Sequence, residues 1–468
     1  MGTLYNSLEI ARRALSASQT GLSVTAHNIA NINTPGYTRQ RVNLSEAPPI
    51  VTGSGVIGRG VQVDSITSFR DRFIESRIMS ETAFAGKLTA YRDSLQQVEV
   101  VFNELNTAGL DSQISAFFNS FSRLASNPQS LTLRNIVVQS GKALADQFRS
   151  QYGRLQQIQT ASDQKLAGLA SEANSLIQSI AKLNAEIGAA EIGGQRANDL
   201  RDQRGEALRE LSQLININVI ELDGGGVSVT TTNGNSLIIG DRFESLITGT
   251  EPATGLAKIT LGTTDITDEI TGGQIAGLLQ TRNQEIPGAL KALDDLAASI
   301  IENVNTVHRT GQGLDGSTGT DFFNPFTQPA PGDNTGAARS IAVSNTVAND
   351  LNKIAAAQDG SAGDNANANA IADLVTSSVT IGGTTQTFGQ FLAGMVADIG
   401  QKLHAAGQQI DTQDALLQQL HNQRDAISGV SLDEEAINLV QFQRSFEAAG
   451  RLFRVVNDLT EEVINLVR

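Results

Sequence analysis

Histidines are the side chains best suited to metal or acid–base chemistry, and the chain has four: His27, His308, His404 and His421. A zinc hydrolase places two histidines four residues apart in an H-E-x-x-H pattern, and none of these four fits it. The sequence also holds no G-x-S-x-G elbow and no recognisable Ser, His and Asp order. Cysteine is absent, which removes disulfides, thiolate metal sites and cysteine nucleophiles. We therefore predict no catalytic residues and no metal site.

A glycine pattern raises the question of a nucleotide site. Gly53, Gly55 and Gly58 match the G-x-G-x-x-G string of dinucleotide-binding folds. That motif needs a strand before it and a helix after it, whereas Pro48-Pro49 precedes it here and an extended Val61-Gln62-Val63 follows. We predict a glycine turn at this point and no cofactor.

The chain is acidic, with 34 Lys and Arg against 49 Asp and Glu in 468 residues, a net charge of −15. Such a charge disfavours nucleic acid and anionic membrane as partners. No apolar run approaches the roughly 18 residues that span a bilayer, so we predict no membrane insertion. The acidic pairs Asp294-Asp295 and Glu461-Glu462 fall on predicted helices, where a solvated face accounts for them. Residues 1–22 lack the continuous apolar stretch of a secretory signal, so we expect any export to use another route.

Both ends of the chain carry coiled-coil spacing, with steps of three and four residues. The N-terminal seam has a large row, with a second, mostly small row at positions 4, 11, 18 and 25; the large residues are Leu8, Leu15, Leu22 and Ile29. The C-terminal seam is largely apolar and includes Leu439, Phe442, Phe446, Phe453, Val456 and Val463. Ser431-Leu432-Asp433-Glu434 has the form of a capping box at the start of that helix. We predict two long terminal helices that pair with each other.

The middle of the chain divides into helical and extended zones. Helices are predicted at about 67–105, 131–192, 196–213, 285–308 and 388–428, and an irregular segment at 310–364. Residues 214–273 alternate between apolar and polar and contain the turn signals Asp223-Gly224 and Asn233-Gly234, which predict a compact β insert. Scarce aromatics, 4% of the chain, favour helix packing through aliphatic side chains. The predicted fold is therefore mainly α, with long terminal coiled-coil helices and a helical rod domain that carries a small inserted β domain.

We divide the chain into three expected domains. Residues 1–60 and 425–468 form the terminal coiled-coil axial domain, and 61–213 with 274–424 form the helical rod domain. Residues 214–273 form the inserted β domain, which we expect to be dispensable for assembly because the terminal helices make the axial contacts.

A distinctive segment, Asn28 to Gln40, follows the first helix. Asn31 and Asn33 favour a helix end because their amides compete for backbone partners. Pro35 stops the helix, and Gly36-Tyr37 completes the turn. At minimum this segment is a helix C-cap and turn.

The same segment resembles the signature of the axial proteins of the bacterial flagellum, the family of rod, hook and hook-associated proteins. The Thr34–Gln40 form is similar to hook-associated members at the hook–filament junction. Residues 429–443 resemble the other end of such proteins, and 304–323 an internal stretch. The matching segments lie near both ends and in the middle of the chain, in the order that they have in the family, and so extend over nearly the whole chain. They do not include the β zone.

The resemblance implies a structural adapter at the hook–filament junction that polymerises on the hook tip so that the filament can be attached. It implies as partners further copies of the chain, the hook protein, the second hook–filament junction protein, an export chaperone and the flagellar type III export apparatus. It implies secretion to the extracellular flagellum. The assembly interface would include the two seams, with Asn31, Asn33, Pro35, Gly36 and Tyr37. The alternatives are another axial protein, such as the second junction protein or a flagellin-like protein, or a coiled-coil interaction protein; an enzyme would need a catalytic acid in a cleft.

Overall fold

The computed structural model describes residues 2–52, 55–102, 109–361 and 363–467. The N-terminal part forms α1 (Gly2–Ala30), β1 (Gln40–Glu46), β2 (Ile50–Thr52), β3 (Gly55–Ile57), β4 (Val61–Ser68), α2 (Arg72–Phe102), α3 (Leu110–Ser126), α4 (Leu131–Glu191) and α5 (Asn198–Leu214). The middle forms β5 (Ile217–Glu221), β6 (Val227–Thr231), β7 (Ser236–Ile239), β8 (Arg242–Phe243), β9 (Leu246–Thr250), β10 (Ala257–Leu261) and β11 (Thr264–Asp265). The C-terminal part forms α6 (Gly273–Gln280), α7 (Ile286–Thr310), α8 (Ala337–Ser340), α9 (Asn345–Asn349), α10 (Ala366–Asp373), β12 (Val379–Ile381), β13 (Thr384–Gln386), α11 (Phe388–Ser428) and α12 (Leu432–Val467).

Most of the predicted helices are present, with shifted ends. The helix predicted at 67–105 begins at Arg72, because residues 61–68 pair with β1 as strand β4. Its predicted last residues, 103–105, lie outside the described residues. Helix α3 is not among the helices predicted above, although it buries three phenylalanines on one face, Phe117, Phe118 and Phe121. The predicted fold class, mainly α with long terminal helices and small sheets, is confirmed.

Helix α4 runs through both hydrophobic cores of the molecule. Its start is capped by Ser130, whose hydroxyl accepts a hydrogen bond from the backbone N–H of Leu133 at 3.3 Å. At 1.5 Å per residue its 61 residues extend for about 90 Å. The first half, with Val137 and Phe148, belongs to a core shared with α3, α7 and α11. The second half, with Ile177 and Ile180, belongs to a core shared with α5, α6 and the β insert.

The β insert consists of two antiparallel sheets with strand orders β5-β6-β7-β8 and β9-β10-β11. Their inward side chains, among them Val229, Ile238 and Ile259, are fully buried against α4 and α6. The insert therefore shares its core with the surrounding helices. Deletion of the insert would uncover Ile177 and Ile180 on α4, and its dispensability for assembly stays a prediction.

The irregular segment after α7 is also tightly packed, and it contains two one-turn helices, α8 and α9, besides extended pieces. Phe322 and Phe323 are fully buried and contact Phe117 of α3, with ring centroids 5.3 and 5.4 Å apart. Asp294 and Asp295 on α7 are buried, so the prediction of a solvated face is wrong there. The Asp294 carboxylate accepts hydrogen bonds from the backbone N–H groups of Gly336 and Ala338, which satisfies the start of α8.

His308, at the end of α7, holds the same segment in its neutral form. Its Nδ1 lies 2.8 Å from the carbonyl oxygen of Thr320, and its Nε2 accepts from the backbone N–H of Ala355 at 3.0 Å. These two partners require one donor and one acceptor on the ring, which is the neutral tautomer with a proton on Nδ1. Burial lowers the pKa of His308 to about 4, although the Thr320 carbonyl and Asp321 oppose the shift.

Acid is therefore expected to destabilise the folded chain through His308. The unfolded histidine takes up a proton near its ordinary pKa of 6.5, whereas the folded one does so only near 4. Its stabilising contribution is present above pH 6.5 and is lost as the pH falls toward 4, by about 2–3 kcal/mol at pH 4.5. Urea unfolding at pH 7 and 4.5 of the wild type and of His308→Gln measures this loss. Equal acid sensitivity of the two chains would contradict the assignment.

Candidate functional site

The two terminal helices pack against each other in antiparallel orientation. Phe442 lies directly over Gly21, where an added Cβ atom would come within 2.5 Å of the phenylalanine ring. Toward the start of α1, Leu15 lies against Gly450, 3.9 Å from the position of a Cβ there. Toward its end, Asn28 bonds Glu435. The expected pairing of the two chain ends is thus present within one molecule.

The seam residues of α1 that are buried between the paired helices are not the large ones that the spacing suggested. The small residues Ala11, Ser18 and Thr25 of α1 are buried, together with Gly21, whereas the large row lies half-buried beside them. Small side chains let the helix axes approach closely, and the larger side chains then pack along the sides of the contact. The half-buried seam residues are Leu8, Leu15, Leu22, Ile29, Leu439, Phe442, Phe453 and Val463. Val456 is buried and Phe446 is exposed.

A buried hydrogen-bond network, which we call the Asn28 node, joins the Asn28–Gln40 segment to α12. The Oδ1 atom of Asn28 accepts from the hydroxyl of Tyr37 at 2.7 Å and from the backbone N–H of Gln40 at 3.0 Å. Its Nδ2 donates to the carbonyl oxygen of Gln40 at 2.9 Å and to Oε2 of Glu435 at 3.1 Å. Every polar atom of this buried amide is satisfied, so the node fixes the turn relative to both helices.

Arg39 completes the node on the α12 side. Its Nε donates to Oε1 of Glu435 at 2.7 Å, and its Nη1 pairs with Glu434. Glu435 is only 2% exposed, while its neighbour Glu434 is 60% exposed. The backbone N–H of Arg39 also donates to the carbonyl oxygen of Ser428 at the end of α11. The turn therefore holds the α11–α12 junction as well as the start of α12.

A second set of contacts ties the same turn to α5. The backbone N–H and hydroxyl of Thr38 donate to the two carboxylate oxygens of Asp202, at 2.8 and 2.5 Å. Gln40 donates to Asp199 at 2.7 Å, and His27 lies 3.3 Å from the same carboxylate. Burial raises the pKa of Asp202 to about 6, against the hydrogen bonds from Thr38 and the charge of Arg70. These contacts set the position of the paired helices relative to the rest of the molecule.

The predicted turn residues occupy different environments. Asn31 caps the end of α1, since its Nδ2 donates to the carbonyl oxygen of His27 at 3.0 Å and its Oδ1 accepts from the hydroxyl of Thr34. Gly36 has a φ of +77°, which favours glycine. Tyr37 belongs to the Asn28 node, and its ring packs edge-on against His27. Asn33 and Pro35 are exposed.

Several residues of this site were not predicted as such: Gly21, Asn28, Thr38, Arg39, Asp199, Asp202 and Glu435. Glu435 stands four residues before Leu439 and so continues the C-terminal seam rhythm, which is the signal that separates it from the exposed Glu434. Asp202 has no comparable signal, because its partner Thr38 is 164 residues away.

Truncation of Glu434 and of Glu435 is expected to lower the free energy of unfolding by unequal amounts. Glu435→Ala leaves Asn28 and Arg39 without their buried partner and should lower the free energy of unfolding by about 2–4 kcal/mol. The matched control Glu434→Ala removes an exposed partner of the same arginine and should cost about 0–1 kcal/mol. Urea unfolding measures both, and equal losses would show that the node adds little.

The glycine string at residues 53–58 does not continue into a helix. Gly53 lies outside the described residues, Gly55 begins β3, and β4 is the next element. Within the described ranges, no three His, Asp or Glu side chains are grouped so that they could hold a metal ion. In the same part of the chain, no helix is both long enough and apolar enough to cross a membrane.

Both ends of the chain match rod-protein families of the flagellum. Residues 8–38 match the family described as flagella basal body rod protein, and residues 421–466 match the C-terminal region of the flagellar basal body rod FlgEFG proteins. Residues 95–323 match the helical domain of flagellar hook-associated protein FlgK. The paired ends and the helical middle together define the class of flagellar axial proteins.

Relatives that match over the full length identify the family within this class. Flagellar hook-associated protein 1 of Bacillus subtilis (strain 168) is 32% identical over 501 residues, with 99% of each chain covered. The protein of the same name from Escherichia coli (strain K12) is 27% identical, with 100% of each chain covered. The chain belongs to the flagellar hook-associated protein 1 family, whose members are structural proteins of the flagellum.

A solved structure supports the fold independently. The flagellar hook junction protein FlgK from Burkholderia pseudomallei superposes with a TM-score of 0.66 at 16% identity. The superposition covers 75% of this chain and 100% of that chain. The predicted family and the predicted structural role in the flagellum are confirmed.

Proposed function

We propose that this chain is the structural adapter of the hook–filament junction, where copies polymerise on the hook tip so that the filament can be attached. Family membership supports the place of action. The observation that carries self-assembly is an apolar surface on α12 that the rest of the chain leaves uncovered.

This surface, the outer stripe of α12, consists of Ile437, Val440, Leu452, Val455 and Leu459. Each of these side chains is between 43% and 66% exposed. They run along one flank of the helix: Leu452 and Leu459 lie next to the buried Ala449 and Val456, and Ile437, Val440 and Val455 lie further round toward the outside. An apolar stripe of this kind on a helix that is already paired indicates a further protein contact. A neighbouring copy is the partner that polymerisation would bring to it.

The predicted interface residues then have two roles in the proposal. The seam residues hold α1 and α12 together as one axial unit, and the outer stripe contacts the next copy. We assign residues 1–60 and 425–468 to this axial domain and add β4, because it pairs with β1. Residues 69–213 and 274–424 form the rod domain, and 214–273 form the insert.

The partners and the location follow from the same proposal. The hook protein lies on one side of the junction and the second junction protein on the other. The chain leaves the cell through the flagellar type III export apparatus with an export chaperone and acts outside the cell. We infer no catalytic role, and the full-length relatives favour this assignment over another axial protein or a coiled-coil interaction protein.

The experiment is to place polar residues in the outer stripe. A strain that lacks the gene is complemented with Ile437→Gln/Val455→Gln, and filaments are counted by electron microscopy. We expect hooks without filaments. The control Ile239→Gln changes an isoleucine of the insert that is 58% exposed, and it should restore filaments. Normal filaments in the double variant would overturn the proposal.

A further inference from the structure

A small cavity of about 270 Å³ lies where α2, α5 and the first hairpin of the β insert meet. Its lining is divided by chemistry. Arginines form one part, and apolar side chains form another: the arginines are Arg70, Arg72 and Arg204, and the apolar residues are Met79, Leu208, Val219 and Val227. The cavity belongs neither to the terminal helices nor to the Asn28 node.

Arg204 brings a buried positive charge to this cavity. Its side chain is 3% exposed, and its Nη1 donates to Oδ1 of Asn184 at 2.8 Å and to the carbonyl oxygen of Gly225 at 2.7 Å. Both acceptors are uncharged. Burial lowers the pKa of Arg204 to about 10; the nearby Arg201 and Arg70 act in the same direction, and the charges of Glu221 and Glu191 oppose the shift. A buried cation that hydrogen-bonds only neutral groups remains costly until an anion approaches it.

Arg70 is a second arginine of the cavity whose side chain donates a hydrogen bond to a neutral oxygen. Its Nη1 donates to the carbonyl oxygen of Arg201 at 3.3 Å, and its buried Nε makes no hydrogen bond within the described part of the chain. The guanidinium lies across Gly205, where a Cβ atom would overlap Nη2. Arg72 differs, because it is paired with Glu221 at 2.8 Å, and Glu75 also lines the cavity. Arg70 and Arg204 therefore donate hydrogen bonds to neutral oxygens, while the nearest carboxylates, Asp202 for Arg70 and Glu221 for Arg204, act on them only through their charge.

We propose that this cavity binds a carboxylate joined to a short apolar group. The carboxylate oxygens would accept hydrogen bonds from Arg70 beside Arg204, since guanidinium groups match the geometry of carboxylates. The apolar group would lie on Met79, Leu208 and the two valines. A cavity of this size holds a ligand of about ten non-hydrogen atoms. The free acid and the C-terminal residue of a polypeptide both present this chemistry.

Calorimetric titration of the full-length chain with 3-phenylpropionate tests the proposal. We expect saturable binding at one site with a Kd on the order of 1 mM, and no binding of the uncharged 3-phenylpropanamide. Arg70→Gln should weaken binding at least tenfold. Gly205→Ala should do the same, because the new Cβ displaces the Arg70 guanidinium. Arg196→Gln, which removes an exposed arginine outside the cavity, is the matched control and should bind like the wild type.

A second titration distinguishes the two sources of the carboxylate. N-acetyl-glycyl-phenylalanine carries the same group at a peptide C-terminus. Tenfold tighter binding of this peptide assigns the cavity to a polypeptide end, and equal or weaker binding assigns it to the free acid. Absence of saturable binding for both compounds, or binding that Arg70→Gln leaves unchanged, would overturn the proposal.

Discussion

Replacement of Gly21 by leucine is expected to separate α1 from α12 and to leave hooks without filaments. A Cβ atom at this position would lie 2.5 to 2.7 Å from three ring carbons of Phe442, closer than carbon atoms approach one another. The ring is half-buried in the seam, so a leucine at position 21 must turn it out of the contact or open the helix pair, and either change removes packing between α1 and α12. Complementation of a deletion strain, with filaments counted by electron microscopy, measures the loss.

Three further variants separate this contact from a general effect of the substitution. Gly450→Ala adds a Cβ atom on α12 that meets only Leu15, at 3.9 Å, and should assemble normally. Gly21→Ala should weaken assembly, and Gly21→Ala/Phe442→Ala should recover part of it because the ring is gone. Filaments of normal number from Gly21→Leu would show that the close contact is not needed for assembly.

Gly277→Ala is expected to cause the largest loss of stability. Gly277 lies on α6 where that helix crosses α2, and an added Cβ atom would overlap the backbone carbonyl oxygen of Lys87 and lie 2.8 Å from the backbone nitrogen of Tyr91. Backbone atoms cannot rotate away, so the two helices must separate. The core that α6 shares with α5, the second half of α4 and the β insert must then open. We expect the free energy of unfolding to fall by about 4 kcal/mol or more.

Gly288→Ala in α7 is the matched control for this prediction. It makes the same chemical change within a helix, but no neighbouring atom lies within 4 Å of its Cβ position. Removal of a helical glycine should therefore stabilise the chain by about 0.5–1 kcal/mol. Urea unfolding of both variants gives the comparison, and a loss below about 1 kcal/mol in Gly277→Ala would contradict the predicted crossing.

The sequence was informative where the pattern is local. Three-four spacing predicted α1 and α12, and Pro35 with Gly36 predicted the end of the first helix. The pattern did not predict which seam residues are the most buried, because the size of an apolar side chain does not show how closely two helices approach. Ser18 and Thr25 are buried since Gly21 and its small neighbours admit α12, a fact that depends on Phe442, more than 400 residues later.

Buried polar residues were the least predictable. Asp294 is a buried cap for a helix more than 40 residues further along the chain, and Asp202 holds a turn that precedes it by 164 residues. No pattern in the sequence near either aspartate predicts a partner so far along the chain. Helix α3 was missed although its sequence does carry a helical pattern, since Leu110, Ile114, Phe117, Phe121 and Leu124 are spaced by four and three residues and are buried on one face.

The contact between Asn28 and Glu435 joins residues 407 positions apart, and this distance has a consequence during synthesis. Ribosomes add about 5–20 residues per second, so roughly 20–80 seconds pass between the two residues. Throughout that time α1 has no α12 to pair with. The chain therefore cannot complete its axial unit until α12 has been synthesised, and shorter nascent chains cannot present the paired helices to one another.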